Sequence, residues 1–281
     1  MRATFWGTRG SLATPGVETV AYGGNTSCVQ VVNETGNVLV LDAGTGIRPL
    51  SAAIPEDTPR VDVLLSHLHM DHIQGLGFFD CLYREGFEVH IWGPASTTMG
   101  LRARLSRYLS PPLFPVRLRD LPCELTLHDV PLGRYEIPGF VVHSALVSHP
   151  APTVGYRLEA DGATLAYLSD HEPALGVRDF PGPAEWTSGF DLAAAADLLI
   201  HDAQYTDAEY QTRVGWGHSA ISHAVAFVAA VGARTFVPFH YDPTHDDTML
   251  DRLYASAAEA LRGRCPVVPA REGETLAVTA A

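Results

Sequence analysis

The chain reads as a mixed α and β protein, and three observations carry that reading. Short apolar runs broken by Gly, Pro and Asn dominate the first 70 residues, as strands joined by turns require. The same strand-rich style returns between residues 140 and 168. Apolar residues at helical spacing fill three longer segments, 98–109, 220–231 and 247–262. Periodicity supports this mixture and leaves the packing of the layers open.

Taken in order, residues 3–6, Cys28–Val32 and Val38–Leu41 read as strands, with turns at Gly23-Gly24-Asn25-Thr26 and Asn33-Glu34-Thr35-Gly36-Asn37. An apolar run at 61–65 reads as the next strand. Gly75-Leu76-Gly77-Phe78-Phe79 opens an expected helix through Tyr83, and 88–92 is a strand. Segment 98–109 places arginines on the face its apolar residues leave, and Ser110-Pro111-Pro112 stops it, because proline has no N–H to give and clashes with the preceding turn. Strands are expected at Phe140–Leu146, 154–158 and 164–168, and a loop at Pro181-Gly182-Pro183. Helices at 192–196 and 220–231, a strand at 235–239 and a helix at 247–262 complete the chain.

The most informative stretch is Ser66-His67-Leu68-His69-Met70-Asp71-His72. It puts three histidines and a carboxylate within six positions, directly after an apolar strand. Imidazole with carboxylate is a donor set that suits zinc and similar ions. His67 and His69 share a parity, so an extended exit from the strand aims both at one point. Asp71 and His72 follow where the chain turns and can face a second ion.

An H-x-H-x-D-H run after an apolar strand resembles the signature of the metallo-β-lactamase superfamily, and the resemblance runs nearly end to end. Asp42 after Val38–Leu41 resembles the family's early strand-ending aspartate, and His149 in Val-Ser-His-Pro its isolated third-motif histidine. Asp170, after Leu165-Ala166-Tyr167-Leu168-Ser169, is similar to its metal-bridging aspartate, and His240, after Phe236-Val237-Pro238-Phe239, to its last ligand. The resemblance implies an α+β fold, the four-layer αββα sandwich. It also implies two divalent ions: one on His67, His69 and His149, the other on Asp71, His72 and His240, with Asp170 bridging. Zinc is the expected metal, and manganese or iron also suits such sites. Relatives that use iron for oxygen chemistry often carry Glu where His69 stands, so hydrolysis is favoured. Two ions sharing a hydroxide can clamp the attacked oxygen.

His218 stands apart. Ile200-His201-Asp202-Ala203-Gln204-Tyr205 and Gly215-Trp216-Gly217-His218-Ser219 resemble paired signatures of RNase Z and its phosphodiesterase relatives, with Asp202 where the family has Glu and Gln204 where it has Thr. The resemblance implies that His218 lies near the scissile phosphate, where it can donate a proton to the leaving oxygen. Asp71 and His218 are therefore the expected catalytic residues, with Asp42 and Asp202 supporting them. Arg9 in Gly7-Thr8-Arg9-Gly10-Ser11 and Asn25 in Gly24-Asn25-Thr26-Ser27 resemble a branch of uncharacterised family hydrolases and are substrate-contact candidates.

Length and composition set further bounds. The 281 residues, 46% of them hydrophobic, suffice for a sizeable core. One domain over 1–281 is expected, because the candidate ligands must converge and no linker divides the chain. Nineteen basic against 32 acidic residues give a net charge of −13, which opposes extended nucleic-acid binding. The expected substrate is a small anionic diester such as a cyclic nucleotide, with no extended nucleic acid and no membrane as partner. Lactone, carboxyl-ester or thioester hydrolysis on the same site is the enzymatic alternative, and a non-catalytic ligand sensor the other. The four scattered cysteines read as small buried apolar residues, and the N-terminus lacks a signal-peptide core, so a cytoplasmic setting is expected. Apolar groups in 98–109 and Leu113-Phe114-Pro115-Val116 suggest a homodimer.

Overall fold

The run Val38-Leu39-Val40-Leu41 shows how this sequence builds two cores at once. Side chains of a strand alternate between faces. Leu39 and Leu41 enter one apolar cluster with Phe5, Val29, Tyr167 and Phe239, whereas Val38 and Val40 enter another with Ile47, Leu50 and Val63. In the computed structural model, which describes residues 1–173, 180 and 184–280, these clusters are the space between two sheets and the outer layer of the first.

The strands are β1 (Arg2–Gly7), β2 (Cys28–Val32), β3 (Val38–Leu41), β4 (Arg60–Leu64), β5 (Glu88–Gly93), β6 (Glu124–Asp129), β7 (Gly133–Ile137), β8 (Phe140–Leu146), β9 (Val154–Ala160), β10 (Ala163–Leu168), β11 (Leu198–Asp202), β12 (Phe236–Phe239) and β13 (Thr275–Ala277). The first sheet runs β13-β1-β2-β3-β4-β5-β6 and the second β12-β11-β10-β9-β8-β7. Strands β3 to β6 are parallel, as are β10 to β12, and the remaining pairs are antiparallel. Phe5 from one sheet and Phe239 from the other meet at 6.4 Å between ring centroids.

Helices α1 (Ile47–Ser51), α2 (Met70–Ile73), α3 (Leu101–Leu105), α4 (Phe190–Ala193), α5 (Asp207–Tyr210), α6 (Ile221–Val231) and α7 (Asp247–Ala260) complete the layers. Ile47, Leu50, Leu101 and Leu105 bury α1 and α3 on the first sheet. Phe227 and Val228 of α6 join Leu250, Tyr254 and Ala257 of α7 on the second. The i, i+4, i+7 spacing of that last set makes one apolar stripe. The Asp246 side chain accepts the Met249 N–H at 2.7 Å and so starts α7. The result is the α+β sandwich with helices outside both sheets.

Three expectations change. The helix expected from 75 to 83 is two separate 3-10 turns, Leu76–Phe78 and Asp80–Tyr83. A side chain at Gly75 would lie 2.0 Å from the Gly44 carbonyl, so the glycine is there for close backbone contact and the segment follows that contact. The 98–109 helix is regular only over α3 and then continues as a turn. Strands β6 and β7 are additional; their exposed, charged faces hid them. Residues Pro181, Gly182 and Pro183, expected as a loop, lie outside the described residues.

Topology gathers the candidate site at one rim. Strands β3 and β4 run the same way, and so do β8, β10, β11 and β12, because β8 and β10 are both antiparallel to β9. Asp42, His67, His149, Asp170, Asp202 and His240 each stand at or just beyond the C-terminal end of one of these six strands.

Candidate metal centre

Strand β4 ends at Leu64, and the chain leaves it extended before α2 begins. His69, with φ −66° and ψ 155°, is the residue before α2, whose first turn carries Asp71 and His72. Extended backbone followed at once by a helical turn therefore splits the motif: His67 and His69 face one way, Asp71 and His72 another. Two other site residues have positive φ, Asp42 at 59° and His240 at 63°. Such a conformation costs a non-glycine residue about 1–3 kcal/mol and persists where surrounding bonds enforce it.

At Asp42 those bonds are explicit. Its carboxylate accepts from the Ser66 N–H at 2.7 Å, the Ser66 hydroxyl at 2.8 Å, the Tyr167 hydroxyl at 2.7 Å and His72 Nδ1 at 2.8 Å. Through these contacts Asp42 holds the start of the histidine motif and orients His72. Gln204 does the same for His240, its Oε1 accepting from Nδ1 at 2.9 Å. The Gly217 carbonyl accepts from His149 Nδ1, also at 2.9 Å.

These rear bonds decide what the front of each ring presents. A neutral imidazole carries one N–H and one lone pair. With Nδ1–H donated backwards, Nε2 of His72, His149 and His240 points forward as a lone pair. They converge: His72 Nε2 lies 3.2 Å from His240 Nε2, and His149 Nε2 lies 3.3 Å from His69 Nδ1. Asp71 Oδ2 is 3.2 Å from His72 Nε2 and 3.1 Å from His240 Nε2. Asp170 stands between the two groups, Oδ1 3.7 Å from His67 Nε2 and Oδ2 3.1 Å from His72 Nε2. Among the described residues, His67 Nε2 is buried with no hydrogen-bond partner. Lone pairs and carboxylate oxygens facing one another in a buried space repel unless a cation lies among them.

The grouping falls into sets whose donor atoms lie within 4.8 Å of one another: His67, His69 and His149 in one, Asp71, His72, Asp170 and His240 in another. These fit the two divalent ions expected from sequence. Electrostatics agrees with the division. Burial drives His67, His69 and His149 below the ordinary histidine range, so they are neutral donors. At His72 burial is outweighed by Asp170, Asp71 and Asp42, which raise it, so these carboxylates call for a positive charge at its Nε2, a proton or, in its place, a metal ion. Asp170 is buried, yet His240, His72 and His67 hold it well below the usual carboxylate range.

His218 belongs to the same cluster. Its Nδ1 lies 2.7 Å from Asp202 Oδ2 and 3.8 Å from Asp170 Oδ1, and its ring stacks on His240 at 4.9 Å. Its donor atoms also come within 4.8 Å of those of His149 and Asp170. Asp202 is fixed in turn by the N–H groups of Gln204 and Ser219, both at 3.0 Å from Oδ1.

Arg9 and Asn25, expected as substrate contacts, are engaged elsewhere. The buried Arg9 guanidinium donates to the carbonyls of Gly23, Asp242 and His245. The Asn25 side chain donates to Glu272 Oε2 at 2.9 Å. Both side chains knit loops together behind the rim.

Glu172 escaped the sequence reading. It is fully buried and accepts from the Tyr210 hydroxyl at 2.6 Å and from the N–H groups of Gly215 and Gly217 at 2.8 Å. It thereby sets the loop that carries His218 and the carbonyl that orients His149. Gly217, at φ +90°, lies so close that a Cβ would meet His149 Nδ1 at 2.2 Å. Only adjacency to Asp170 and His171 could have signalled Glu172.

Comparison with known proteins adds the family. A model of the beta-lactamase superfamily domain matches residues 37–241. A ribonuclease Z of Mycobacterium marinum is 27% identical over 253 residues, 83% of this chain and 86% of its own. Among solved structures, the short form of human tRNase Z aligns with a TM-score of 0.69 and 20% identity over 100% of both chains. Zinc-bound PqqB from Methylobacterium extorquens aligns with a TM-score of 0.72 and 20% identity, covering 99% of this chain and 100% of its own. The chain belongs to the metallo-β-lactamase superfamily of hydrolases, in its RNase Z-like branch. This corrects one expectation. Relatives named for RNA overturn the exclusion of extended nucleic acid as partner. That exclusion rested on net charge, a sum over the whole surface that says nothing of the local field beside the rim.

Proposed function

We propose that this superfamily member is a metal-dependent phosphodiesterase acting on nucleotide phosphodiesters, with His218 as the acid that protonates the leaving oxygen. The observation that carries this reading is the Asp202–His218 pair, bonded at 2.7 Å and set against Asp170 and His240. His67, His69 and His149 would hold one ion, and Asp71, His72 and His240 the other, with Asp170 between them; zinc is the expected metal. Such a pair of ions lowers the pKa of bound water and polarises a phosphoryl oxygen.

The chain's own residues supply the rest. Asp202 Oδ2 accepts a hydrogen bond from the Nδ1–H of His218, which leaves Nε2–H of the charged ring as the group that gives its proton to the leaving oxygen. The side chain keeps 11% exposure, and that is the face a substrate reaches. Burial lowers His218 below the ordinary histidine range, with Asp170 and Asp71 pulling the other way, so its charged form releases a proton readily.

The test compares leaving groups. His218→Ala should slow a cyclic nucleotide, and a short RNA, by roughly 10²–10⁴-fold, the range general acid catalysis contributes. Bis(p-nitrophenyl) phosphate, whose leaving group is a weak base, should suffer much less. Equal losses on both kinds of substrate would refute the acid role. A wild-type protein that cleaves a lactone or thioester but no phosphodiester would overturn the assignment.

A further inference from the structure

The motif that carries the candidate ligands has a second face. Leu68, Met70 and Ile73 alternate with His67, His69, Asp71 and His72, and they line a surface groove of about 720 Å³ together with Arg104, Arg107, Tyr108 and Leu113. Consecutive Cα atoms are about 3.8 Å apart, so this groove starts within one residue of the candidate ligands. Its volume is in the range of sites for nucleotide-sized ligands, roughly 300–1,000 Å³. Met70 is 50% and Leu113 70% exposed, an unusual placement for apolar side chains beside a metal motif.

Two of its seven lining residues are arginines, Arg104 and Arg107, and the segment that supplies them is rich in basic residues. Residues 89–119 contain Arg102, Arg104, Arg107, Arg117 and Arg119 and neither Asp nor Glu, within a chain of net charge −13. The Arg107 side chain is exposed and, among the described residues, makes no ion pair or hydrogen bond. Arg104 donates to the Pro94 carbonyl and stands 3.7 Å from Asp129, yet its Nε is buried without a partner. The groove thus joins an apolar floor to guanidinium groups with unspent donors. An apolar base and an anionic phosphate, repeated along a strand, match that pattern.

We propose that this groove binds the nucleotide next to the cleaved phosphodiester of a single-stranded RNA. The base lies on Leu68, Met70, Tyr108 and Leu113, and its phosphate meets Arg107. The proposal rests on the phosphodiesterase reading and adds a binding site outside the metal centre, for the part of the strand beyond the cleaved bond.

The test is fluorescence anisotropy with a labelled ten-residue oligouridylate whose phosphorothioate linkages resist cleavage, titrated with the metal-replete full chain. Arg107→Glu should raise Kd by about tenfold or more, and Arg107→Ala should lower the slope of log K against log salt by about 0.7, the value for one lost phosphate contact on a single strand. Leu113→Asp, at an exposed position that folding tolerates, should also raise Kd. An unchanged Kd and salt slope for Arg107→Glu would overturn the proposal. So would a Leu113→Asp variant that sediments as a smaller species than wild type while keeping its Kd, because the groove would then be a subunit interface. Wild-type hydrolysis of bis(p-nitrophenyl) phosphate, measured separately, reads the phosphodiesterase assignment by itself. Binding that depends on Arg107 without such hydrolysis overturns the assignment and keeps the groove.

Discussion

Replacing Glu172 with Gln changes one atom of a buried hub, and the structure sets the size of the effect. Oε1 accepts from Tyr210 and Gly215, and Oε2 from the buried Gly217 N–H. A glutamine amide must put its NH2 at one of these places, where donor faces donor. Losing one charge-assisted bond and stranding a buried N–H costs about 2–4 kcal/mol. With a urea m-value of about 3 kcal/mol/M for a chain of this size, the unfolding midpoint should fall by about 1 M. The loop shift also loosens the Gly217 carbonyl that orients His149. Loss of such an outer partner weakens metal binding by about 10–100-fold. Urea unfolding monitored by circular dichroism gives the first number, and competition with a chromophoric chelator gives the second. A Glu172→Gln protein with wild-type midpoint and wild-type chelator titration would refute the claim that Glu172 organises the His149 and His218 loops.

Further outcomes follow from the same geometry. Elemental analysis after repletion should find two divalent ions per chain, because two sets of donor atoms converge. Each ion held at about 1,000 times its Kd should add about 4 kcal/mol of stability that chelation removes; fewer than one ion per chain would sink the two-ion reading. The cysteines should resist thiol reagents in the folded protein. Burial pushes Cys81 and Cys265 up to about 11 and raises Cys28 and Cys123 as well. At pH 8 a thiol of pKa about 11 is roughly one-thousandth thiolate, against roughly a quarter for a free thiol. Rapid labelling of all four in the native protein at pH 8 would contradict their burial.

Local pattern alone determined a large part of this molecule. Cys28–Val32, Val38–Leu41 and Phe140–Leu146 are strands at the limits expected, because dense β-branched runs between turn residues leave the backbone few alternatives. The His67–His72 cluster was legible for a related reason: ligands within six positions of one strand end are placed by local geometry. What pattern could not reach is whatever depends on partners far apart in the chain. Tyr167 and Asp42 are 125 residues apart, Gln204 and His240 36, and Glu172 and Gly217 45. Hydrogen bonds over such separations leave no periodic trace, so the groups that orient the rings emerged only with the fold. The same holds for charge. A net value of −13 is a property of composition, but an electric field depends on distance and is screened within about 10 Å. Only tertiary structure placed Arg104, Arg107, Tyr108 and Leu113, from an acid-free stretch of chain, beside Leu68 and Met70 of the histidine motif.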